Sequence, residues 1–211
     1  MTKYLKIAIL VLVLFVIYAP SCVDEQAEAM REEAIITEAR NDIRTVFETE
    51  VLSESSLSAF ESTAEQKLAD FVDYLHILVD TSLDISFRVN AGEMIKNTFL
   101  SDKVNLQLAL QKDDTNEELN VYDLIKNGLE NKLSPSNYSI NLIVVREPFQ
   151  RTEKTIYAGS LKFTQIFNNP SQTGKSPETL ERIADIYLIK EHKLFGTDTL
   201  NIWSVKLGDI R

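Results

Sequence analysis

The sequence predicts an α+β protein in which helices come first and pack on an antiparallel sheet. Apolar residues in the first half of the chain recur every three or four residues, which is the period of an amphipathic helix. From Tyr138 onward they alternate with polar residues, as they do in a half-buried strand. With 211 residues, 44% of them hydrophobic, the chain can form one domain with a real core and some additional segments.

Residues 25–51 are predicted to form the first helix, which is amphipathic and heavily charged on its other face. Its apolar stripe consists of Met30, Ala34, Ile36, Ala39, Ile43, Val46 and Phe47. One interpretation is a stalk or partner-binding helix that holds the domain away from a membrane. The other is a helix docked on its own domain, and the continuity of the stripe slightly favours docking.

Two more helices are predicted before the first strand. Residues 53–58 contain four serines in a linker or cap region, and the second helix begins near Ser58 and runs to Leu78. After a break at 80–84, a third helix has one predicted apolar face, made of Phe87, Ala91, Met94, Ile95 and Phe99. Asp84 with Arg88, and Glu93 with Lys96, have the spacing of ordinary ion pairs on a helix surface.

The rest of the chain is predicted to be mostly strands. Residues 104–110 alternate as a half-buried strand, 112–120 form a polar loop, and 121–132 form a short helix. The residues of that helix expected to point inward are Tyr122, Ile125 and Leu129. Two later strands have predicted faces of Ile140, Leu142 and Val144, and of Tyr157, Leu161, Phe163 and Phe167. Residues 183–192 and 200–210 give two more strands, with a hairpin marked by Gly196.

The N-terminus has the features of an export signal. Lys3 and Lys6 precede an unbroken apolar run over residues 7–19, and the chain becomes strongly polar after Cys22. The run is shorter than the ~20 apolar residues of a membrane span, and it matches the apolar region of a signal peptide. We therefore predict a signal peptide over 1–21, a helical neck and linker over 22–57, and a folded domain over 58–211.

Ser21 and Cys22 resemble the lipobox of bacterial lipoproteins. The resemblance implies a diacylglycerol on the Cys22 thiol and a further acyl chain, such as palmitate, on the freed amine. Ala19 and Pro20 depart from the usual pattern, which leaves ordinary signal-peptidase cleavage and an uncleaved anchor as alternatives. Asp24 and Glu25 are similar to the surface-export signals of Bacteroidota lipoproteins. The expected location is the outer membrane, on its periplasmic face or at the cell surface.

The order of elements resembles the NTF2-like (cystatin-like) fold over residues 58–211. The stretch 157–163 is similar to a long central strand of that fold, and 203–210 is similar to its closing strand, which often begins with a Trp. The resemblance implies a cone-shaped, curved antiparallel sheet with a cavity. The candidate polar residues of that cavity are Tyr157, Gln165, Asp185, Tyr187 and Trp203. Many domains of this fold pair through the outer face of the sheet, so a homodimer is an expectation by analogy.

Several kinds of chemistry have no support in the sequence. The formal net charge of -10 is opposite in sign to a nucleic-acid-binding surface. There is no phosphate-binding Gly-rich loop, no paired-cysteine metal site and no Gly-x-Ser-x-Gly motif. His76 and His192 are not spaced as a ligand pair. We therefore expect no catalytic residue, no metal and no cofactor.

The predicted function is a membrane-anchored lipoprotein with a non-catalytic binding or assembly role in the cell envelope. Its protein partner would contact Met30, Ile36 and Ile43. One alternative is a small-molecule binder or carrier that uses the cone cavity. The other is an isomerase or dehydratase of the NTF2-like type, with Asp185 and Tyr187 as an acid–base pair. A filled cavity and an exposed apolar patch on residues 25–51 would favour the protein partner.

Overall fold

The computed structural model describes residues 28, 30–38, 51–108, 118–133, 138–167, 178–195 and 198–211. The chain divides into two compact units, Met1–Val46 and Phe47–Arg211. In the first unit, residues 28 and 30–38 are helical and form α1. The predicted signal peptide, Cys22, Ile43 and the remainder of the predicted neck helix lie outside the described residues. No helix among the described residues is long and apolar enough to cross a membrane.

Helix α2, Glu54–Val79, is the longest helix of the second unit. It begins four residues before the predicted start because Ser53 is its N-cap, with Oγ accepting from the backbone N–H of Ser56 at 3.2 Å. It ends at Asp80, whose N–H donates to the carbonyl of His76. The residues it buries are Ala64, Leu68, Phe71, Val72, Leu75, Leu78 and Val79.

Helix α3, Ile85–Thr98, buries a different face from the predicted one. Ala91, Ile95 and Phe99 are buried as expected, but Phe87 and Met94 are exposed. The prediction of an ion pair between Asp84 and Arg88 on the helix surface is also wrong. Asp84 is the N-cap and accepts from the N–H and hydroxyl of Ser86, whereas Arg88 is buried and donates to other elements. The helix is therefore rotated so that Arg88, Gly92 and Thr98 lie inside.

Helix α4, Val121–Leu129, begins after the N-cap Asn120, whose Oδ1 accepts from the N–H of Asp123 at 2.8 Å. It buries Val121, Leu124 and Gly128. The predicted inward position of Tyr122 is wrong, because this side chain is 60% exposed. Ile125 and Leu129 are partly buried at the edge of the core.

Six strands form one open, mixed sheet. They are β1 Asn105–Gln107, β2 Glu118–Asn120, β3 Tyr138–Glu153, β4 Ile156–Phe167, β5 Glu178–Phe195 and β6 Asp198–Ile210. Their order is β2-β1-β6-β5-β4-β3. The expectation of a purely antiparallel sheet fails at one pair, because β1 runs parallel to β6. The chain leaving α3 runs along β6 in the same direction, with the N–H of Leu100 donating to the carbonyl of Leu207 at 2.8 Å.

Strand β3 does not keep the regular alternation that its sequence suggests. Asn141 pairs with Thr164 and Val144 with Lys162, so β3 has one extra residue at this point. Leu142 has φ 52° there and is 74% exposed. A bulge of this kind bends the strand and reverses which side chains face inward. The predicted shared face is therefore wrong for Leu142 and Val144, which are exposed. Ile140 before the bulge and Ile143 and Val145 after it pack on the core.

The core lies between the helices and one face of β4, β5 and β6. Its fully buried centre includes Leu68 and Phe71 of α2, together with strand residues that share that face. These strand residues are Leu161, Phe163, Ile186, Leu188 and Leu207, each 0% exposed. Phe71 and Phe99 meet edge to face, with ring centroids 5.0 Å apart. The coarse expectation of helices on one face of a sheet is thus confirmed.

Candidate functional site

Tyr157 and Trp203 lie together on the core face of the sheet. Their rings meet edge to face at 5.4 Å, and both side chains are buried. The Tyr157 hydroxyl accepts a hydrogen bond from the backbone N–H of Leu52 at 3.2 Å. The Lys190 ammonium lies 5.6 Å from the centroid of the Trp203 ring, within the range of a cation–π contact. These aromatic residues pack against the protein itself and hold the segment that leads into α2.

Gln165 lies on the same face of the sheet, in a second group. It is fully buried, and its Oε1 accepts from Nε of Arg182, which is also buried, at 3.3 Å. Nearby, the Tyr138 hydroxyl is buried and has no hydrogen-bond partner among the residues that the structure describes. Burial raises the pKa of Tyr138, so its phenol stays neutral. Arg182 and Tyr138 were not singled out in the sequence, although Arg182 occupies an inward position in the alternation of β5.

Asp185 and Tyr187 lie on the opposite face of the sheet. Successive side chains of a strand point to opposite faces. Asp185 and Tyr187 alternate with the buried core residues of β5 and so point away from the core. Asp185 is paired with Ser160 of β4. The Asp185 carboxylate forms an ion pair with Arg211 at 2.5 Å. Burial and then the charges of Asp185 and Asp209 raise the pKa of Tyr187, which keeps this phenol protonated. The five predicted cavity residues therefore form three separate groups.

A groove between α3 and α4 was not predicted. It has a volume of about 380 Å³. Its lining residues are Glu93, Lys96, Asp102, Tyr122, Ile125, Lys126, Leu129 and Glu130. The sequence predicted that one apolar face of α4 points into the core. The residues of that face, Tyr122, Ile125 and Leu129, line this groove instead.

Close packing holds α3 against α4 at Gly92 and α4 against α2 at Gly128. A Cβ atom added at Gly92 would lie 2.9 Å from Cγ2 of Ile125, and one added at Gly128 would lie 2.7 Å from Cγ of Leu78. Arg88 fixes the same region through its guanidinium. Nε donates to the carbonyl of Leu78 at 2.8 Å, and Nη2 donates to the carbonyl of Gly128 and to Oδ1 of Asn131, both at 2.7 Å.

Helix α1 carries large apolar side chains that are exposed. Met30 is 72% exposed, Ile35 65% and Ile36 56%. The other described residues of this helix are exposed as well. Ile43, the third residue of the predicted partner surface, lies outside the described part of the chain.

Within the residues that the structure describes, no group of three or more His, Cys, Asp or Glu side chains is arranged to hold a metal ion. His76 instead has its Nε2 2.7 Å from the carbonyl oxygen of Tyr138. Neither protein-family models, nor curated proteins, nor solved structures yielded a match to this chain.

Proposed function

We propose that the protein is a bacterial lipoprotein, anchored through Cys22, with a non-catalytic binding or assembly role in the cell envelope. The support for the anchor is the order of features at the N-terminus: two lysines, an apolar run, and Cys22 followed by a polar sequence. Three acyl chains would hold the protein more firmly than the marginal attachment given by one. The proposed location is the outer membrane, on its periplasmic face or at the cell surface.

The observation that carries the binding role is the exposure of Met30, Ile35 and Ile36 on α1. Large apolar side chains in water cost free energy that a partner would recover on binding, at about 25 cal/mol per Å² of apolar surface. A groove that binds a helix contacts residues on one helix face, and Ile36 and Ile43 have the seven-residue spacing of such a face. We propose that Met30, Ile36 and Ile43 make this contact.

The interior of the second unit also supports a protein partner over a small-molecule carrier. Phe163 is fully buried and Trp203 packs edge to face on Tyr157, which is the arrangement that a core filled by aromatic side chains requires. Asp185, the proposed base of the enzyme alternative, is engaged with Arg211 on the other face of the sheet.

We further propose that residues 58–211 have the NTF2-like arrangement. The supporting features are a long helix before the sheet, a short pair of strands followed by a helix, and four long strands in consecutive antiparallel pairing. A homodimer through the outer sheet face stays a prediction, which sedimentation of the purified protein would test.

Cys22→Ala tests the anchor. We expect the variant to be lost from the membrane fraction or to accumulate unprocessed, because the acyl chains have no other attachment site. Mass spectrometry of the unaltered mature chain should show the acyl mass on its first residue. A variant with unchanged mature size and full membrane retention would contradict the lipoprotein proposal.

Site-specific photo-crosslinking tests the partner surface. A photoreactive amino acid at position 36 in the native cells should give a reproducible cross-link to one envelope protein. The matched control is the same amino acid at position 142, which is also highly exposed but lies on β3. The cross-link should disappear when Met30 and Ile43 are changed to Ser. Equal cross-links from positions 36 and 142 would contradict a specific contact.

A further inference from the structure

Helix α1 is strongly acidic as well as apolar. Its described residues contain four carboxylates and one guanidinium, which give this stretch a formal charge of -3. All five side chains are exposed, and they belong to Glu28, Arg31, Glu32, Glu33 and Glu38. The imbalance extends along the sequence, because residues 24–50 contain nine acidic and three basic residues. The charge of this part of the chain is therefore one-sided.

Carboxylates surround the exposed apolar pair Ile35 and Ile36. These two side chains are 65% and 56% exposed. Residues three or four positions apart are neighbours on a helix surface. By this spacing, the charged neighbours of the pair among the described residues of α1 are Arg31, Glu32, Glu33 and Glu38. A molecule that covers both isoleucines therefore comes within reach of three carboxylates and one guanidinium.

This charge separates the two kinds of surface that an anchored chain meets, a bilayer and another protein. Cys22, the proposed lipid attachment site, lies shortly before α1 in the sequence. Helices that lie in a membrane interface have a polar face rich in Lys and Arg, because many lipid headgroups are anionic. An anionic bilayer repels α1 at distances up to the Debye length of ~8 Å. A basic protein surface attracts it instead.

We propose that α1 docks in an apolar groove of an envelope protein whose rim carries Lys or Arg residues. Ile35 and Ile36 enter the groove, and Glu32 and Glu33 face the basic rim. The inference rests on the partner contact proposed above, to which it adds the chemistry of the partner's surface. A phospholipid, or the second unit of this chain, is a different occupant that the experiment identifies.

The test uses the full lipoprotein in its native cells, with a photoreactive amino acid at position 35. Mass spectrometry of the product shows whether position 35 is joined to another protein, to a phospholipid or to its own chain. We expect one envelope protein, joined at a peptide that contains Lys or Arg. Glu32→Lys with Glu33→Lys should lower the yield of this product by about tenfold or more, because like charges then face each other.

Glu93→Lys with Glu153→Lys is the matched control. It makes the same change in net charge at two exposed positions of the second unit, and it should leave the yield unchanged. The amount of mature chain in the membrane fraction normalises each yield. In the partner, replacement of a Lys or Arg of the cross-linked peptide by Glu should restore the product of the Glu32→Lys, Glu33→Lys chain.

The outcomes separate this inference from the proposed function. A protein product whose yield is the same in the Glu32→Lys, Glu33→Lys chain and in the control would overturn the basic rim, while leaving the partner contact of α1 in place. A product with phospholipid or with the second unit of the same chain would overturn both. The absence of any protein product from positions 35 and 36 would also overturn both.

Discussion

Arg88 shows how one side chain joins three parts of the fold. It is 6% exposed, and its guanidinium donates to carbonyl or amide oxygens at the ends of α2 and α4 and in the turn at Asn131. The last carbonyls of a helix lack partners within the helix and carry partial negative charge. The guanidinium therefore supplies a charged donor to the buried Leu78 carbonyl and a second donor to the Gly128 carbonyl, which also accepts from the N–H of Asn131.

Arg88→Met should lower the free energy of unfolding by about 2 kcal/mol, because the buried Leu78 carbonyl loses its donor and the charged hydrogen bonds to Gly128 and Asn131 are lost. The measurement is urea unfolding, where the midpoint should fall with an unchanged slope. Arg151→Met is the control, since Arg151 also donates to carbonyls but is exposed in its own hairpin. Similar losses in both variants would show that burial of Arg88 is not what matters.

Removing the hydroxyl group should change the free energy of unfolding differently at two buried tyrosines. Tyr157→Phe should reduce the free energy of unfolding by about 1 kcal/mol, because its hydroxyl accepts from the N–H of Leu52. Tyr138→Phe should not reduce it, because the Tyr138 hydroxyl is buried with no partner among the described residues and its removal relieves a desolvation cost. Urea unfolding of both variants measures the difference. A larger loss in Tyr138→Phe than in Tyr157→Phe would contradict this account.

At the scale of elements, glycines decide how closely the helices pack. Gly128 faces Leu78, which is fully buried and has no room to move, whereas Gly92 faces Ile125, which is only partly buried at the groove. An alanine in a helix is favoured over glycine by about 1 kcal/mol, and overpacking a core costs about 1–3 kcal/mol. The balance therefore differs between the two sites.

Gly128→Ala should destabilise the protein by about 1 kcal/mol, because the overpacking against Leu78 exceeds the gain in helix propensity. Gly92→Ala should be neutral or stabilising, because the Ile125 side chain can turn toward the groove. Thermal unfolding followed by circular dichroism compares the two variants with the unaltered chain. The reverse order of stabilities would show that the α3–α4 contact is the tighter one.

At the scale of the whole molecule, the chain forms two compact units that divide after Val46. The second unit contains the sheet, α2, α3, α4 and the buried core. We therefore expect a chain that starts at Phe47 to fold by itself. Trp203, the single Trp of the sequence, is buried in this unit and reports its unfolding through fluorescence.

The prediction is that removal of residues 1–46 leaves the urea midpoint of the Trp203 transition unchanged, with one cooperative transition. The control is the Cys22→Ala chain, which keeps the first unit but has no lipid attachment site. A clear fall in the midpoint of the shortened chain would show that the first unit contributes to the stability of the second.

Sequence patterns predicted the kind and order of most elements in the second unit. Local hydrophobic periods predict these elements, because a period depends only on residues that are close in the sequence. The elements are the helices, the long strands β4, β5 and β6, and the hairpin that joins β5 to β6. The patterns predicted less about the candidate site. Tyr157, Gln165 and Trp203 of the candidate cavity residues lie on the core face of the sheet, but Asp185 and Tyr187 lie on the other face, and the groove residues were not identified.

The sequence alone determined that most helices precede the long strands, that most core-facing strand positions are apolar and that the first residues have the pattern of an export signal, whose function stays a prediction. The tertiary structure decided which helix faces are covered, that β1 runs parallel to β6, and that the bulge at Leu142 reverses the inward side of β3. The physical reason is that a local period defines an apolar stripe but not the neighbour that covers it. Arg88 is buried because acceptors 10, 40 and 43 residues away converge on it, and no local pattern contains that information.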